Sequence, residues 1–443
     1  MIGAGRIFKV QPRGGQLWSV VMRLLLANSL AVLFLCACAS VLYVWTALES
    51  GLYRHKRGFS HPRAAVLPDL SPKTFRALLA LPPAQRPPFS HNDHANNYTG
   101  GGGHPADTVQ QRRQPDFVLN EKEELAGLSE LVEDGIFWSE RLEALSPIGF
   151  SEAHARAWSQ KARASRIVSL VPGCGRTSNR LASFSDGTKA CVRYGINADQ
   201  VQGETLSYYL ASLLGIANLP PLALSQVNPG GEQWSGVEED IVDLHWSDYA
   251  VVSLTEWVSN LTGVITPTPL RQEGRRLHPR REDLESRTVA EVLELMQWTD
   301  LVLFDFLTAN FDRLVSNLFS RQWDPRVMER DTSNLHRSPG GGLVFIDNEA
   351  GLVHGYRVLH MWEKYHNSLL ASVCLFRRRT AKHIIELHRL RDAHSRLLDL
   401  YRDSEPLAAE LGFLSDEQAG ILQSRIDHLY KHILKCKGTY SQL

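Results

Sequence analysis

The stretch Asp305-Phe306-Leu307-Thr308-Ala309-Asn310-Phe311-Asp312-Arg313-Leu314-Val315-Ser316-Asn317 changes character halfway along. Upstream, from about Thr288 to Leu307, apolar residues predict a long buried helix. Downstream, Asn310 to Asn317 predicts a polar turn, with four residues between Asp312 and Asn317. A carboxylate there can orient or deprotonate a hydroxyl, and an amide a few residues on can hold a metal ion on a phosphate. The spacing alone is weak, because Asp and Asn are common in turns.

Working outward, Leu343-Val344-Phe345-Ile346-Asp347-Asn348-Glu349 reads as an apolar strand that ends in acids. A carboxylate at a strand end, following a D-x-x-x-x-N turn, is how protein kinases place a second metal ligand. A plain strand-terminating turn is the structural alternative for Asp347. Further upstream, Lys189-Ala190-Cys191-Val192-Arg193 precedes a helix, about Val201 to Leu214, that bears Glu204. Phosphoryl transfer calls for a cation on such a strand, held by a helix carboxylate. Arg193 stands where a Lys is usual, and Lys189 lies on the same face by the period of two. Either is a candidate. Gly173-Cys174-Gly175-Arg176-Thr177-Ser178-Asn179 departs from G-x-G-x-x-G, yet Gly173 and Gly175 let it present backbone N–H groups to phosphate.

Helices are predicted at about 120–133 and 151–164, and strands at Arg166–Pro172, Arg180–Ser185 and Thr188–Tyr194, with Asp186-Gly187 as a hairpin turn. Strands near Leu222–Val227 and Tyr249–Trp257 follow. Residues 264–285, rich in Pro and Arg, read as a surface excursion. The C-terminal third is helical in spacing. Strands, one helix, more strands, then mostly helices is an α+β layout, with a small β-rich N-lobe at about 116–257 and a larger helical C-lobe at about 286–443.

The chain has 443 residues, a length that allows roughly two to three domains. With 48 basic and 48 acidic residues its formal net charge is zero, which argues against a nucleic-acid binder. Residues 1–23 are basic, a short cytoplasmic tail; 24–48 carry no charge and as a helix would extend about 37 Å, enough to cross a bilayer. That length favours a signal-anchor over a cleaved signal, although Ala37-Cys38-Ala39 resembles a cleavage site. Residues 49–115, with paired prolines and the run Gly100 to Gly103, read as a luminal stem. In that stem Arg54-His55-Lys56-Arg57 has a form that furin-like proteases accept, or is a basic cluster near lipid headgroups.

The sequons at Asn97 and Asn260 fit a luminal compartment, as do Cys174, Cys191, Cys374 and Cys436. Four cysteines allow three pairings. The layout favours Cys174–Cys191 and Cys374–Cys436, since each joins segments expected to be neighbours.

The order of these features, together with longer runs, resembles the four-jointed box family, related to the secretory-pathway kinases. The runs are Cys174-Gly175-Arg176, Val192-Arg193-Tyr194-Gly195-Ile196-Asn197, Gln297-Trp298-Thr299-Asp300, Ala309 to Asn317, and Phe345-Ile346-Asp347-Asn348-Glu349-Ala350-Gly351. The resemblance implies a two-lobed, atypical protein-kinase-like fold in a Golgi type II membrane protein. It implies a Ser/Thr kinase using ATP with Mg or Mn, acting on extracellular cadherin repeats of Fat/Dachsous-type proteins. By position, Asp312 would be catalytic, Asp347 and Asn317 metal-binding, and Glu204 the partner of the strand cation. Arg193 in place of Lys, and Asn348-Glu349 after the metal Asp, depart from the usual kinase pattern. They keep open a secreted ligand or pseudokinase that acts by binding, for example in restraining dendrite growth. A metal-dependent glycosyltransferase is disfavoured because no D-x-D occurs.

Overall fold

The computed structural model describes residues 128–440, apart from 196, 272–273, 275 and 285–286. The expected tail, anchor and stem, and the Asn97 sequon, lie outside the described residues. Among the described residues, no helix is long and apolar enough to cross a membrane.

A helical turn, Leu128–Leu131, opens the described chain and gives way, short of the expected 133, to a ribbon of β1 (Val132–Glu133) and β2 (Phe137–Trp138). Helix α1 (Glu152–Ala164) follows, its first turn capped by Ser151, whose hydroxyl accepts from the His154 N–H at 3.2 Å. Then come β3 (Ile167–Pro172), β4 (Arg180–Phe184) and β5 (Lys189–Arg193). Asp186-Gly187 makes the β4–β5 turn: Gly187 has φ +84°, and Asp186 Oδ1 accepts from the Thr188 N–H at 3.0 Å. Helix α2 (Ala198–Leu214), β6 (Leu222–Gln226) and β7 (Val251–Glu256) complete an antiparallel sheet of order β3-β4-β5-β7-β6.

Period two decides what each face of β5 does. Ala190 and Val192 join Trp158 and Ala162 of α1, Phe184, Leu254 and Trp246 in the sheet's core. The Trp158 indole N–H also finds the Leu254 carbonyl at 3.1 Å. Truncating a ring such as Phe184 to Ala would cost about 3–5 kcal/mol. Lys189, Cys191 and Arg193 are left on the opposite face.

The rest is largely helical. Helix α3 (Val289–Thr308) starts in a Thr288/Glu291 capping box and ends where Ala309 turns left-handed at φ +53°. It is buried nearly all round, as its sequence requires, with Trp298 fully inside. Around it lie α4 (Leu314–Ser320), α5 (Val353–Arg357), α6 (Leu359–Ala371), α7 (Arg378–Leu390), α8 (Ala393–Ser404) and α9 (Asp416–Tyr440). A second sheet, order β10-β9-β8, is made of β8 (Thr262–Ile265), β9 (Asp331–Arg337) and β10 (Leu343–Phe345).

Three expectations need correction. The 264–285 segment is no mere surface excursion: Leu270, Leu277, His278 and Leu284 are buried. Leu277 donates its N–H to Ser372 O at 2.8 Å and its carbonyl accepts from Cys374 N at 3.0 Å. The polar turn is shorter than 310–317, because Leu314 and Val315 pack inward and start α4, which carries Asn317. Strand β9 went unanticipated because Asn334, at φ +58°, breaks its alternation.

Candidate functional site

Helix α2 is held so closely that its position is fixed on two sides. In front, a Cβ on Gly203 would lie 2.6 Å from Glu349 O and 2.9 Å from Gly351 O, so only glycine lets the helix approach the segment after β10. Behind, the buried Glu405 carboxylate accepts from Tyr209 Oη at 2.7 Å, Leu224 N at 3.1 Å and Arg163 Nη2 at 2.7 Å. One carboxylate at the end of α8 thus ties together α2, β6 and α1.

This placement brings Glu204 to the end of β5. The buried guanidinium of Arg193 contacts three acids: Glu204 at 3.6 Å, Asp347 at 2.9 Å, and Glu349 in an ion pair. Burial opposes its charge, but the carboxylates prevail and hold its pKa above the usual arginine value. Burial, chiefly, pushes the Glu204 carboxyl up. Glu204 Oε2 also accepts the Asn348 backbone N–H, which links the helix directly to the Asp347-Asn348-Glu349 run.

The glycine loop covers this cluster. Cys174 and Gly175 are left-handed, at φ +61° and +82°, and the Cys174–Cys191 disulfide pins the loop to β5. A Cβ on Gly175 would stand 3.7 Å from Asp347 Oδ2, so the loop backbone passes over that carboxylate. Gly173 sits farther back, its would-be Cβ 3.1 Å from the Leu181 Cβ. Arg176, about half exposed, is paired with Glu349.

Asp312 approaches from the helical side. Its N–H donates to Asn310 Oδ1 at 3.0 Å, and its Oδ2 accepts from Asn334 Nδ2 at 3.0 Å. Burial first, and then the charge of Asp347, push its carboxyl up to about 6. Beside it, the fully buried Arg313 is paired with Asp305, bonds Asn348 Oδ1, and donates to Asn334 O at 3.2 Å and Ile346 O at 3.1 Å. One side chain therefore fixes α3, β9 and the end of β10 around Asp312.

The structure brings Asp312, Asp347, Glu204, Arg193 and Gly175 into one group, in which Arg193 and Glu204 are buried. Lys189 is exposed at the far end of β5 and makes none of these contacts. Asn317 is half-buried on α4, and among the described residues its side chain makes no hydrogen bond to Asp312 or Asp347. The Cys374–Cys436 disulfide joins the segment before α7 to α9, away from the cluster. Asn260 is exposed, at φ +57°, just before β8. Glu349, Arg176, Arg313 and Asn334 were given no site role from the sequence. Glu349 alone left a signal there, as a second acid two residues beyond Asp347.

Fold and site together define an α+β protein in which a sheet-borne arginine meets acids from a helix and from the strand end beyond the helical turn. A family model for the four-jointed box protein middle domain matches residues 153–439, and the chain belongs to that family. It is 61% identical to four-jointed box protein 1 of Xiphophorus maculatus over 427 residues, covering 95% of this chain and 100% of that one. The extracellular serine/threonine protein kinase four-jointed of Drosophila melanogaster is 34% identical, over 70% of this chain and 61% of its own. Among solved structures, the Golgi casein kinase with Mn/ADP bound has a TM-score of 0.44 at 12% identity, covering 65% of this chain and 77% of that one.

Proposed function

We propose that this chain is a secretory-pathway protein Ser/Thr kinase that transfers the γ-phosphate of ATP to extracellular cadherin repeats of the Fat/Dachsous type. The observation that carries the reading is that Arg313, next to Asp312, bonds Ile346 O and Asn348 Oδ1 on either side of Asp347, while the glycine loop passes over Asp347. The Drosophila relative's kinase name supports it.

The residues present fit a divalent cation with its nucleotide. Glu204, Asp347, Glu349 and Asp312 outnumber Arg193 and Arg176, and the buried Asp347 Oδ1 has the Arg193 ion pair at 2.9 Å but no well-aligned hydrogen bond. Such hard, acid-rich oxygen donors suit Mg or Mn. Asp347 and Asn317, the two expected ligands, with Glu349 two residues beyond Asp347, would hold it. The bound cation supplies neutralisation of charge on the transferred phosphoryl group. Asp312, oriented by Asn310 and Asn334, receives the acceptor hydroxyl's proton. Arg193 is occupied by acids and sets their positions, which leaves Arg176, exposed beside Gly175, as the cation best placed to meet phosphate. The Cys174–Cys191 bridge keeps that loop in register with β5. An anchor at 24–48, a Golgi lumenal site and a glycan on Asn260 complete the reading.

The test is mass spectrometry of a cadherin repeat after incubation of the full-length chain with ATP and Mg or Mn. Phosphate on Ser or Thr, lost in Asp347→Asn, is the expected result. No transfer by folded protein with either metal would overturn it. The occupied Arg193 favours one second reading, a ligand that acts by binding; a normal biological response from Asp347→Asn would select it.

A further inference from the structure

Glu405 caps the end of α8, and its carboxylate is wholly buried. Apolar side chains could hold helices together there without the cost of desolvating a charge. What they do not supply is direction, because apolar contacts have none, whereas a hydrogen bond weakens steeply off its geometry. Glu405 Oε1 accepts from Tyr209 Oη at 2.7 Å, and Oε2 from Leu224 N at 3.1 Å and Arg163 Nη2 at 2.7 Å. Arg163 also donates to Ser404 O at 2.9 Å, so the carboxylate is itself held from α1.

Two of these donors lead to the acid cluster by separate routes. The first runs through the sheet. Leu224, on the edge strand β6, stands opposite Ser253 of β7, and Ser253 stands opposite Arg193 of β5. The three form one row, and two strand spacings, about 10 Å, separate Leu224 from Arg193. The second route runs through α2. Tyr209 is five residues beyond Glu204, about 7.5 Å along the axis and turned to the back of the helix. Gln202, seven residues before Tyr209, shares that back side and donates to Leu411 O at 3.4 Å and Phe413 O at 3.3 Å. Ser207 is on the front with Glu204, its hydroxyl donating to Asn348 O at 3.5 Å.

One carboxylate therefore holds both the row that carries Arg193 and the helix that carries Glu204. Turning α2 by about 20° would move side-chain ends, at a radius of about 5 Å, by about 2 Å. That would part Glu204 from the Asn348 N–H. From this we infer that Glu405 is a positioning residue for phosphoryl transfer. By holding Leu224 and Tyr209 together it sets the register in which Arg193 meets Glu204, and through them the place of Asp347 and Asn348. The inference rests on the kinase reading for what the cluster does, and not for how the cluster is held.

The test is amide hydrogen exchange of the full-length chain without ligand, together with the kinetics of phosphate transfer from ATP and Mn to a cadherin repeat. The variants are Glu405→Gln and Tyr209→Phe, which removes a single hydroxyl and keeps the ring. Ile433→Val, a buried truncation on α9 outside these contacts, is the control for lost stability. In Tyr209→Phe and Glu405→Gln, exchange at Asn348 should speed up about tenfold, as its hydrogen bond to Glu204 opens more often. Under conditions where every variant is folded, kcat should fall about tenfold with the KM for the repeat unchanged. Ile433→Val should change neither. Exchange at Asn348 as slow in Tyr209→Phe as in the wild type overturns the proposal. So does faster exchange with kcat intact, or an equal effect of Ile433→Val on both. If the wild type transfers no phosphate, the kinase reading fails, and exchange at Asn348 alone decides whether Glu405 sets the cluster.

Discussion

Arg193 Nη2 lies 2.9 Å from Asp347 Oδ1 while the same guanidinium meets Glu349 and Glu204, so one buried cation serves three acids from two separate elements. Removing it leaves carboxylates buried without compensation. Arg193→Met should cost about 3–5 kcal/mol in urea denaturation. Arg193→Lys keeps the charge but not the planar fork that reaches several oxygens, and should fall between. A Met variant as stable as wild type would mean that the acids are neutralised in some other way.

The same occupancy bears on which cation meets nucleotide. Arg193 is committed and Lys189 is at the remote end of β5, whereas Arg176 sits on the loop above Asp347 and is about half exposed. Arg176→Ala should therefore weaken ATP binding by about tenfold, the worth of one charge-assisted contact, and Lys189→Ala should leave it unchanged. Isothermal titration with an ATP analogue and Mn would read both. The reverse order would return the phosphate role to β5.

Gly203 offers a steric test. A methyl group there meets the carbonyls of Glu349 and Gly351 well inside contact distance. Gly203→Ala should raise helix propensity yet lower stability by about 1–3 kcal/mol, because the backbone must move apart. It should also displace Glu204 from Arg193 and lower activity more than its stability loss explains. A stabilised, fully active variant would show that α2 has room the structure denies it.

What could be read in the sequence was local. The Asp186-Gly187 turn, the alternation of β5 and the all-round apolarity of α3 each follow from neighbours a few residues apart. Asp312 stood out by its spacing to Asn317, and Asp347 because it closes an apolar run. The partners did not. Arg193 and Glu349 are 156 residues apart, and Glu405 and Leu224 are 181 apart. No local pattern connects such pairs; only the packed chain does. By propensity Gly203 is an unfavourable helix residue, and only the distant carbonyls facing it account for it. The buried leucines of 264–285 were hidden for a similar reason, since surrounding arginines and prolines outweigh them in composition.

The two disulfides should separate stability from function. Cys374–Cys436 closes 62 residues, and its loss should cost about 4 kcal/mol of unfolded-state entropy. Cys174–Cys191 closes 17, with a loss of about 3 kcal/mol, yet it alone holds the loop above Asp347. Cys191→Ser should thus raise the KM for ATP, while Cys436→Ser should mainly lower the melting temperature. Equal effects of both on KM would remove the loop-pinning role.

Asp312 links pH to activity and stability with opposite signs. Burial and Asp347 push its carboxyl up to about 6, above the ordinary aspartate value. Only the ionised form can accept a proton, so activity should rise with pH through about 6 and fall about tenfold per unit below it. Asp312→Asn should lose about 10²–10⁴-fold in rate and, with it, the acid limb of the profile. The stability sign is the reverse. A carboxyl whose pKa is raised on folding stabilises most below its unfolded value, and that contribution is lost as pH rises through about 6. At pH 7.5 the charge is therefore a burden on the fold, carried for the site, and Asp312→Asn should unfold no earlier than wild type. A flat pH profile in the wild type, or an Asn variant that melts well below it, would show that Asp312 serves the fold and not the proton.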